Sequence, residues 1–238
     1  MPKDNIDHEI VISVKNLKRD FKVGQNTIKA LRDINLEIDS TDFAVIFGPS
    51  GCGKSTLLNI ILGIDEPTSG EVKVRTTNLF SLSEDERASF RARKIGMIHQ
   101  MPYWVKSLNV LENIALPLVI RGLDSKSATA RACETMEDIG IGDLTKQIPT
   151  QLSGGQQQKA SFARAIATNP WIIMADEPTG NLDSKSSDEI MKLMADLNHQ
   201  QKRTIILVTH NEQYWNAGNR RIEMKDGEII KDTKHKDG

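Results

Sequence analysis

Gly48-Pro49-Ser50-Gly51-Cys52-Gly53-Lys54-Ser55 fits the spacing G-x-x-x-x-G-K-[ST], with Thr56 directly after it. Glycines at these positions let the backbone curl until several N–H groups converge on one point, which is what a phosphate needs. A helix starting at the end of the loop adds the positive end of its dipole. Lys54 then reaches the β- and γ-phosphates of a bound nucleotide, and the Ser55 hydroxyl can ligate Mg²⁺. Cys52 occupies a variable position, and its small side chain is expected to point away from the nucleotide.

A second constellation follows much later. The apolar run Ile172-Ile173-Met174-Ala175 ends in two carboxylates, Asp176 and Glu177. Asp176 is placed to hold the hydration shell of Mg²⁺, and Glu177 to polarise a water for in-line attack on the γ-phosphate. Alone, such a pair would equally suit a solvated strand end. Another apolar strand, however, ends in Thr209-His210 and brings an imidazole to the same sheet edge. Ligands of open α/β sheets bind beyond the carboxyl ends of the strands, where all three elements finish.

The flanking sequence supplies the elements that must position these groups. Phe43 to Phe47 is a short apolar run entering the glycine-rich loop, and Leu57, Leu58, Ile61 and Leu62 leave it at helical spacing. Upstream, Ile10 to Glu37 alternates around Ile12, Val14, Ile34 and Leu36, a pattern of antiparallel strands with one wet face. Glu71 to Arg75 reads as a further short strand. Ser83 and Glu86 form a capping-box pattern for a polar helix to about Lys94, and Ile95 to Gln100 reads as a strand leading to a glutamine. The stretch from about Met101 to Lys159 reads as helical, with helices over Val110 to Leu118 and Ser125 to Ile139. Another helix begins near Gly154-Gly155 and runs to about Thr168. Trp171 to Ala175 and Thr204 to Val208 read as buried strands around a helix that aligns Ile190, Leu193, Met194 and Leu197. The charged tail after Ile230 is expected to fray. Two α/β stretches thus flank a helical insert.

With 31 basic against 32 acidic residues in 238, the chain lacks the basic surplus usual in nucleic-acid binders, and no nucleic-acid partner is expected. A disulfide at Cys52 would obstruct the loop, so Cys52 and Cys133 read as reduced thiols of a cytosolic chain. No apolar run approaches about 18 residues, and Pro117 breaks the piece around Ile114 to Ile120. The expectation is a chain that neither spans a membrane nor carries a secretion signal.

Leu152-Ser153-Gly154-Gly155-Gln156 resembles the signature motif of ATP-binding-cassette (ABC) ATPases, which in that family caps the γ-phosphate of ATP held by the opposite subunit. Ser153 and the N–H groups of Gly154 and Gly155 suit that task at a helix N-terminus, where Ser153 can also serve as the cap. The resemblance runs in order over nearly the whole chain. It implies that Phe21 stacks on adenine, that Gln100 joins Mg²⁺ to the attacking water, and that Asp176 and Glu177 are the acidic pair. It further implies that Asp183 communicates across a dimer, that His210 is the switch histidine, and that Ser153, Gly154, Gly155, Gln156 and Asp183 complete the nucleotide site. The implied fold is an α/β P-loop NTPase: a RecA-like core (1–100 and 160–238) with an antiparallel β subdomain and an inserted α-helical subdomain (101–159). The chain, 1–238, would be a single ABC ATPase domain using ATP and Mg²⁺. Three positions depart from the family pattern. Phe21 stands where many members have Tyr, His99 where Phe is frequent, and Lys159 where Arg is common. His99 is expected as a core or edge histidine, and Lys159 on a solvated helix face.

The segments Leu82-Ser83-Glu84 to Phe90-Arg91, Lys94-Ile95-Gly96 and Pro178 to Asp183 resemble the branch that serves lipoprotein release, macrolide export and antimicrobial-peptide export. Such an ATPase pairs as a homodimer when ATP is bound and drives a separate transmembrane permease from the inner face of the cell membrane. Tyr103 and Trp104 border the groove that receives the permease in this family. Either both pack the helical lobe, or at least one stands exposed and docks the partner. Two other readings remain open at this point: a non-transport ATPase regulating a cell-division or cell-wall complex, and a soluble cassette acting on ribosomes or DNA.

Overall fold

The structure is a computed structural model and describes residues 9–235. Two sheets organise it. The smaller is antiparallel: β1 (Ile10–Val23) and β2 (Asn26–Asp39) form a long hairpin, and β4 (Ser69–Val74) and β5 (Thr77–Asn78) extend it in the order β2-β1-β4-β5. The larger sheet has six strands. From one edge they are β10 (Glu228–Lys234), β9 (Arg220–Lys225), β3 (Phe43–Phe47), β8 (Thr204–Thr209), β7 (Ile172–Asp176) and β6 (Ile95–His99). All are parallel except β10, which returns antiparallel to β9.

Alternation along the central strands divides the core in two. Phe43 and Val45 of β3, Ile173 and Ala175 of β7, and Ile205 and Leu207 of β8 face one side. There they meet α3 (Val110–Ile120), α4 (Ser125–Asp138), α5 (Gly154–Ala167) and α6 (Ser184–Gln201). Their neighbours Ala44, Ile46, Ile172, Met174, Ile206 and Val208 face the other side, against α1 (Lys54–Ile61) and the antiparallel sheet. Strands buried on both faces are continuous apolar runs, and this is why these three read so clearly.

The helices start where their caps dictate. Ser83 with Glu86 opens α2 (Glu84–Lys94), Asn109 with Glu112 opens α3, and Ser153 with Gln156 opens α5, each as a reciprocal capping box. Asp124 and Asp183 cap α4 and α6. Helix α5 is continuous through 159 and 160. Its later residues pack on β6, where a Cβ at Gly96 would come within 2.5 Å of the Ala165 carbonyl oxygen.

Two expectations need correction. Within the stretch expected to be helical, residues 101–109 are irregular, while α3 begins at Val110 as expected. Pro102 disfavours a helix there, and the buried Asn113 amide satisfies the loop instead by donating to the carbonyls of Val105, Leu108 and Asn109. The tail beyond Ile230 does not fray as far as Lys234, because residues 228–234 pair with β9. Lys234 also reaches Asp39 (2.6 Å) and Asp42 (2.8 Å), and Arg220 pairs with Asp232 (2.8 Å), which pins the charged strand to the sheet.

Candidate active site

The phosphate loop leaves β3 and enters α1 through two glycines that nothing larger could replace. A Cβ at Gly48 would overlap the Met224 carbonyl oxygen, and Gly53 sits at φ +104°, with its missing Cβ facing the Ala30 carbonyl 2.6 Å away. Cys52 is buried beneath the loop. Its N–H donates to the Pro49 carbonyl (3.3 Å), and its own carbonyl accepts from Gly227 N–H (3.0 Å). Lys54 is buried as well, and its ammonium donates to the carbonyls of Gly48 (2.7 Å) and Pro49 (2.9 Å). The loop's own carbonyls satisfy its lysine.

The strand ends bring up the other groups. Parallel pairing sets His99 of β6, Asp176 of β7 and Val208 of β8 level with one another. The Ser55 hydroxyl donates to Asp176 Oδ1 at 3.2 Å, which joins the loop to β7. Burial pushes the Asp176 carboxyl above its ordinary range, the Ser55 bond opposes that shift, and the charge of Glu177 adds to it.

Glu177 continues the ladder by one bond, from its N–H to the Val208 carbonyl (2.9 Å), and then turns off it in a left-handed conformation (φ +47°). For a residue with a Cβ this costs about 1–3 kcal/mol. Two side-chain bonds hold the arrangement: Thr209 Oγ1 donates to Oε2 (3.1 Å), and His210 Nδ1 lies 2.6 Å from Oε1. A carboxylate only accepts, so the proton sits on Nδ1.

These groups face one cleft of about 790 Å³, lined by Ser50, Gly51, Gly53, Lys54, Ser55, Thr56, Gln100, Asp176, Glu177 and His210. That volume is in the range of small-ligand sites. Several residues that sequence reasoning did not single out complete the wall: Ile28, Lys29, Ala30 and Arg32 from β2, and Asp226-Gly227 from the β9–β10 turn. The Asp-Gly pair, in left-handed backbone at both residues, was the available signal for that hairpin.

The remaining expected residues stand apart. Phe21 is not in the cleft wall, but it pairs across the strands with Ile28, which is, and the Arg19 guanidinium covers its ring at 4.4 Å. Ser153 and Gly154 are exposed at the start of α5, where Ser153 accepts from Gln156 N–H (3.3 Å) and Gln156 Oε1 accepts from Ser153 N–H (3.0 Å). Asp183 accepts from the N–H and hydroxyl of Ser186, and these bonds hold its carboxyl below the usual range. His99 is half-buried with its ring edge-on to Tyr103. Burial lowers its pKa first, and the nearby Arg164 charge lowers it further. Lys159 is partly exposed and pairs with Glu189 of α6 at 2.6 Å.

The donor set fits a hard cation. Ser55 and Asp176 offer oxygens side by side, Gln100 adds an amide oxygen, and among the described residues no cluster of three or more His, Cys, Asp or Glu could hold a metal by itself. Mg²⁺ usually keeps several waters and takes few protein oxygens, the rest coming from phosphates.

Residues 31–180 match the family described as ABC transporter. The chain belongs to that family. Among similar proteins, the macrolide export ATP-binding/permease protein MacB of Aggregatibacter actinomycetemcomitans is 44% identical over 223 residues, covering 94% of this chain and 34% of MacB. The lipoprotein-releasing system ATP-binding protein LolD of Syntrophus aciditrophicus is 40% identical over 220 residues, covering 92% of this chain and 99% of LolD. The ATP-binding cassette MJ0796 of Methanocaldococcus jannaschii, solved as a dimer in a post-hydrolysis state with ADP and Pi, superposes with a TM-score of 0.89 at 39% identity. That alignment covers 95% of this chain and all of the other. This ABC protein is therefore an ATP-binding subunit and an ATPase with the P-loop NTPase fold. Among its described residues, no helix is long and apolar enough to cross a membrane.

Proposed function

We propose that this ABC ATPase powers a transmembrane permease of the export or lipoprotein-handling type by closing as a homodimer around two Mg-ATP and reopening after hydrolysis. The observation that carries the reading is a single cleft that holds the buried Lys54 ammonium, the Ser55–Asp176 pair and the Glu177–His210 pair. In binding ATP, Lys54 exchanges its two loop carbonyls for β- and γ-phosphate oxygens, and the loop N–H groups cradle the same phosphates. Ser55 and Gln100 would ligate Mg²⁺ directly, with Asp176 accepting from its waters. Bound there, the ion neutralises charge that builds on the phosphate oxygens. Glu177 accepts a proton from the attacking water as the water oxygen bonds to the γ-phosphorus and the bond to the bridging oxygen breaks. Thr209 and His210 keep its carboxylate at the required angle.

The second half of each site comes from the other copy. Ser153 and Gly154, both exposed, and the partly exposed Gly155 stand at a helix N-terminus, suited to grip the γ-phosphate of ATP bound to the partner. Asp183, capping the adjacent α6, lies at the same surface. The dimeric MJ0796 cassette supports this arrangement. Phe21, beside Ile28 at the cleft rim, is proposed to meet the adenine once Arg19 leaves its ring. LolD, matched over nearly its full length and named an ATP-binding protein, supports a permease on another chain and a location at the inner face of the membrane. Tyr103, 72% exposed, is the side chain available to dock it, whereas Trp104 is half-buried and engaged with Gln157 and Arg164.

The test is Glu177→Gln. The variant should bind ATP normally, hydrolyse it about 10²–10⁴-fold more slowly, and accumulate as a dimer in size-exclusion chromatography with ATP. Native turnover by the variant would remove Glu177 from its role.

A further inference from the structure

Gln158 is a polar side chain in the middle of α5, only 1% exposed, and none of the steps above uses it. Its Nε2 donates to the carbonyl of His99 at 3.0 Å. His99 is the last residue of β6, and β6 is an edge strand of the six-stranded sheet among the described residues. Helix α5 packs on the face of β6, close enough that only glycine fits at residue 96. The residue after His99 is Gln100, whose side chain lines the cleft and packs over Gly180, where a Cβ would come 2.7 Å from its Nε2.

The same helix grips the chain on the far side of Gln100. Gln157 Oε1 accepts from Trp104 Nε1 at 3.2 Å, and the Arg164 guanidinium lies 4.6 Å over the Trp104 ring and donates to the Tyr103 carbonyl. Gln100 thus stands between two attachments to one helix, and the nearer is a single buried amide. We propose that Gln158 is a positioning residue for hydrolysis: by holding the His99 carbonyl it sets where the chain leaves β6 and where the Gln100 amide lies in the cleft. The proposal rests on the role given to Gln100 above.

A carbonyl satisfied only for stability would give the same hydrogen bond, and a double-mutant cycle separates the two roles. Basal ATPase activity of the whole chain is measured for Gln158→Leu, Gln100→Ala and the double variant. Gln158→Met, unbranched and equally unable to donate, serves if the leucine variant does not fold. Thermal melting verifies folding throughout. Replacing Gln158 should lower kcat about tenfold, the scale seen when a group that orients a metal or water ligand is removed. ATP affinity without Mg²⁺, read with a fluorescent nucleotide, should stay within about twofold, since the phosphate loop is untouched. In the Gln100→Ala background the same replacement should change kcat by less than about twofold, because the group it positions is gone. Equal losses in both backgrounds would overturn the proposal and leave Gln158 a structural bond only. Native kcat in the Gln158 variants would overturn it too. If Gln100→Ala alone keeps native kcat, it is the role of Gln100 that fails, and the positioning role falls with it, while the Glu177 result stands independently.

Discussion

Around Lys54, polar groups arrive from the ends of β3, β6, β7 and β8, residues as far apart in the chain as Gly48 and His210. Around Ser153 they come from one turn of α5, with its N–H and hydroxyl both engaged by Gln156. The cleft is assembled by a sheet buried on both faces, and its side chains already contact each other: Ser55 with Asp176, Glu177 with Thr209 and His210. The α5 turn is equally ordered but faces solvent. On the function proposed for this chain, the contrast separates a half-site that one chain finishes alone from one that another copy would complete.

The strongest way to break that contrast is to disable each half separately. Lys54→Ala removes two charge-assisted bonds to phosphate and should weaken ATP binding about 100-fold or more, measured by nucleotide titration. Ser153→Arg should leave binding intact and abolish turnover. Mixed in equal amounts, the two inactive proteins should recover about a quarter of native activity, since half the pairs are mixed and each of these keeps one whole site of two. No recovery would mean that the halves do not combine across the dimer.

A smaller effect distinguishes the two glycines of the turn. At Gly155 an added Cβ would collide with the Ser186 hydroxyl and lie 2.9 Å from its Cβ, whereas at Gly154 the nearest atom is Leu182 Cδ2 at 3.6 Å. Gly155→Ala should therefore cost about 1–3 kcal/mol in urea unfolding. Gly154→Ala should stay within about 0.5 kcal/mol. Equal costs would show that the α5–α6 contact does not decide the choice of glycine.

The smallest expected effect concerns Asp176. Burial raises its pKa, so it takes up a proton sooner than an exposed aspartate as pH falls, and in the role proposed for it the carboxyl must be ionised. The acid limb of kcat/KM, which reports the free enzyme, should have its midpoint above the ordinary 3.8. A midpoint at or below that value would mean that the strand end is wetter than the cleft geometry implies.

Most of the site was legible because its signals are local. The phosphate loop, the carboxylates closing an apolar run and the caps at Ser83 and Ser153 each depend on residues within one or two turns of each other. What was missed depends on partners remote in sequence. The strands β9 and β10 are short and rich in charge; β9 becomes a strand by pairing with β3, and β10 by pairing with β9 and by the contacts of Lys234 with Asp39 and Asp42. Residues 101–109, which Pro102 keeps from forming a helix, are held in place by Asn113 and α5.

The sequence by itself determined the chemistry: which residues could hold phosphate, accept a proton or cap a helix follows from residue type and spacing. Only the tertiary structure decided who holds whom. It set the Thr209 and His210 bonds to Glu177, the shelter of Cys52 under the loop and the grip of Gln158 on the strand before Gln100. The reason is physical. A hydrogen bond between residues 59 apart, such as Gln158 to His99, leaves no periodicity in the chain and exists only because α5 packs on the face of β6.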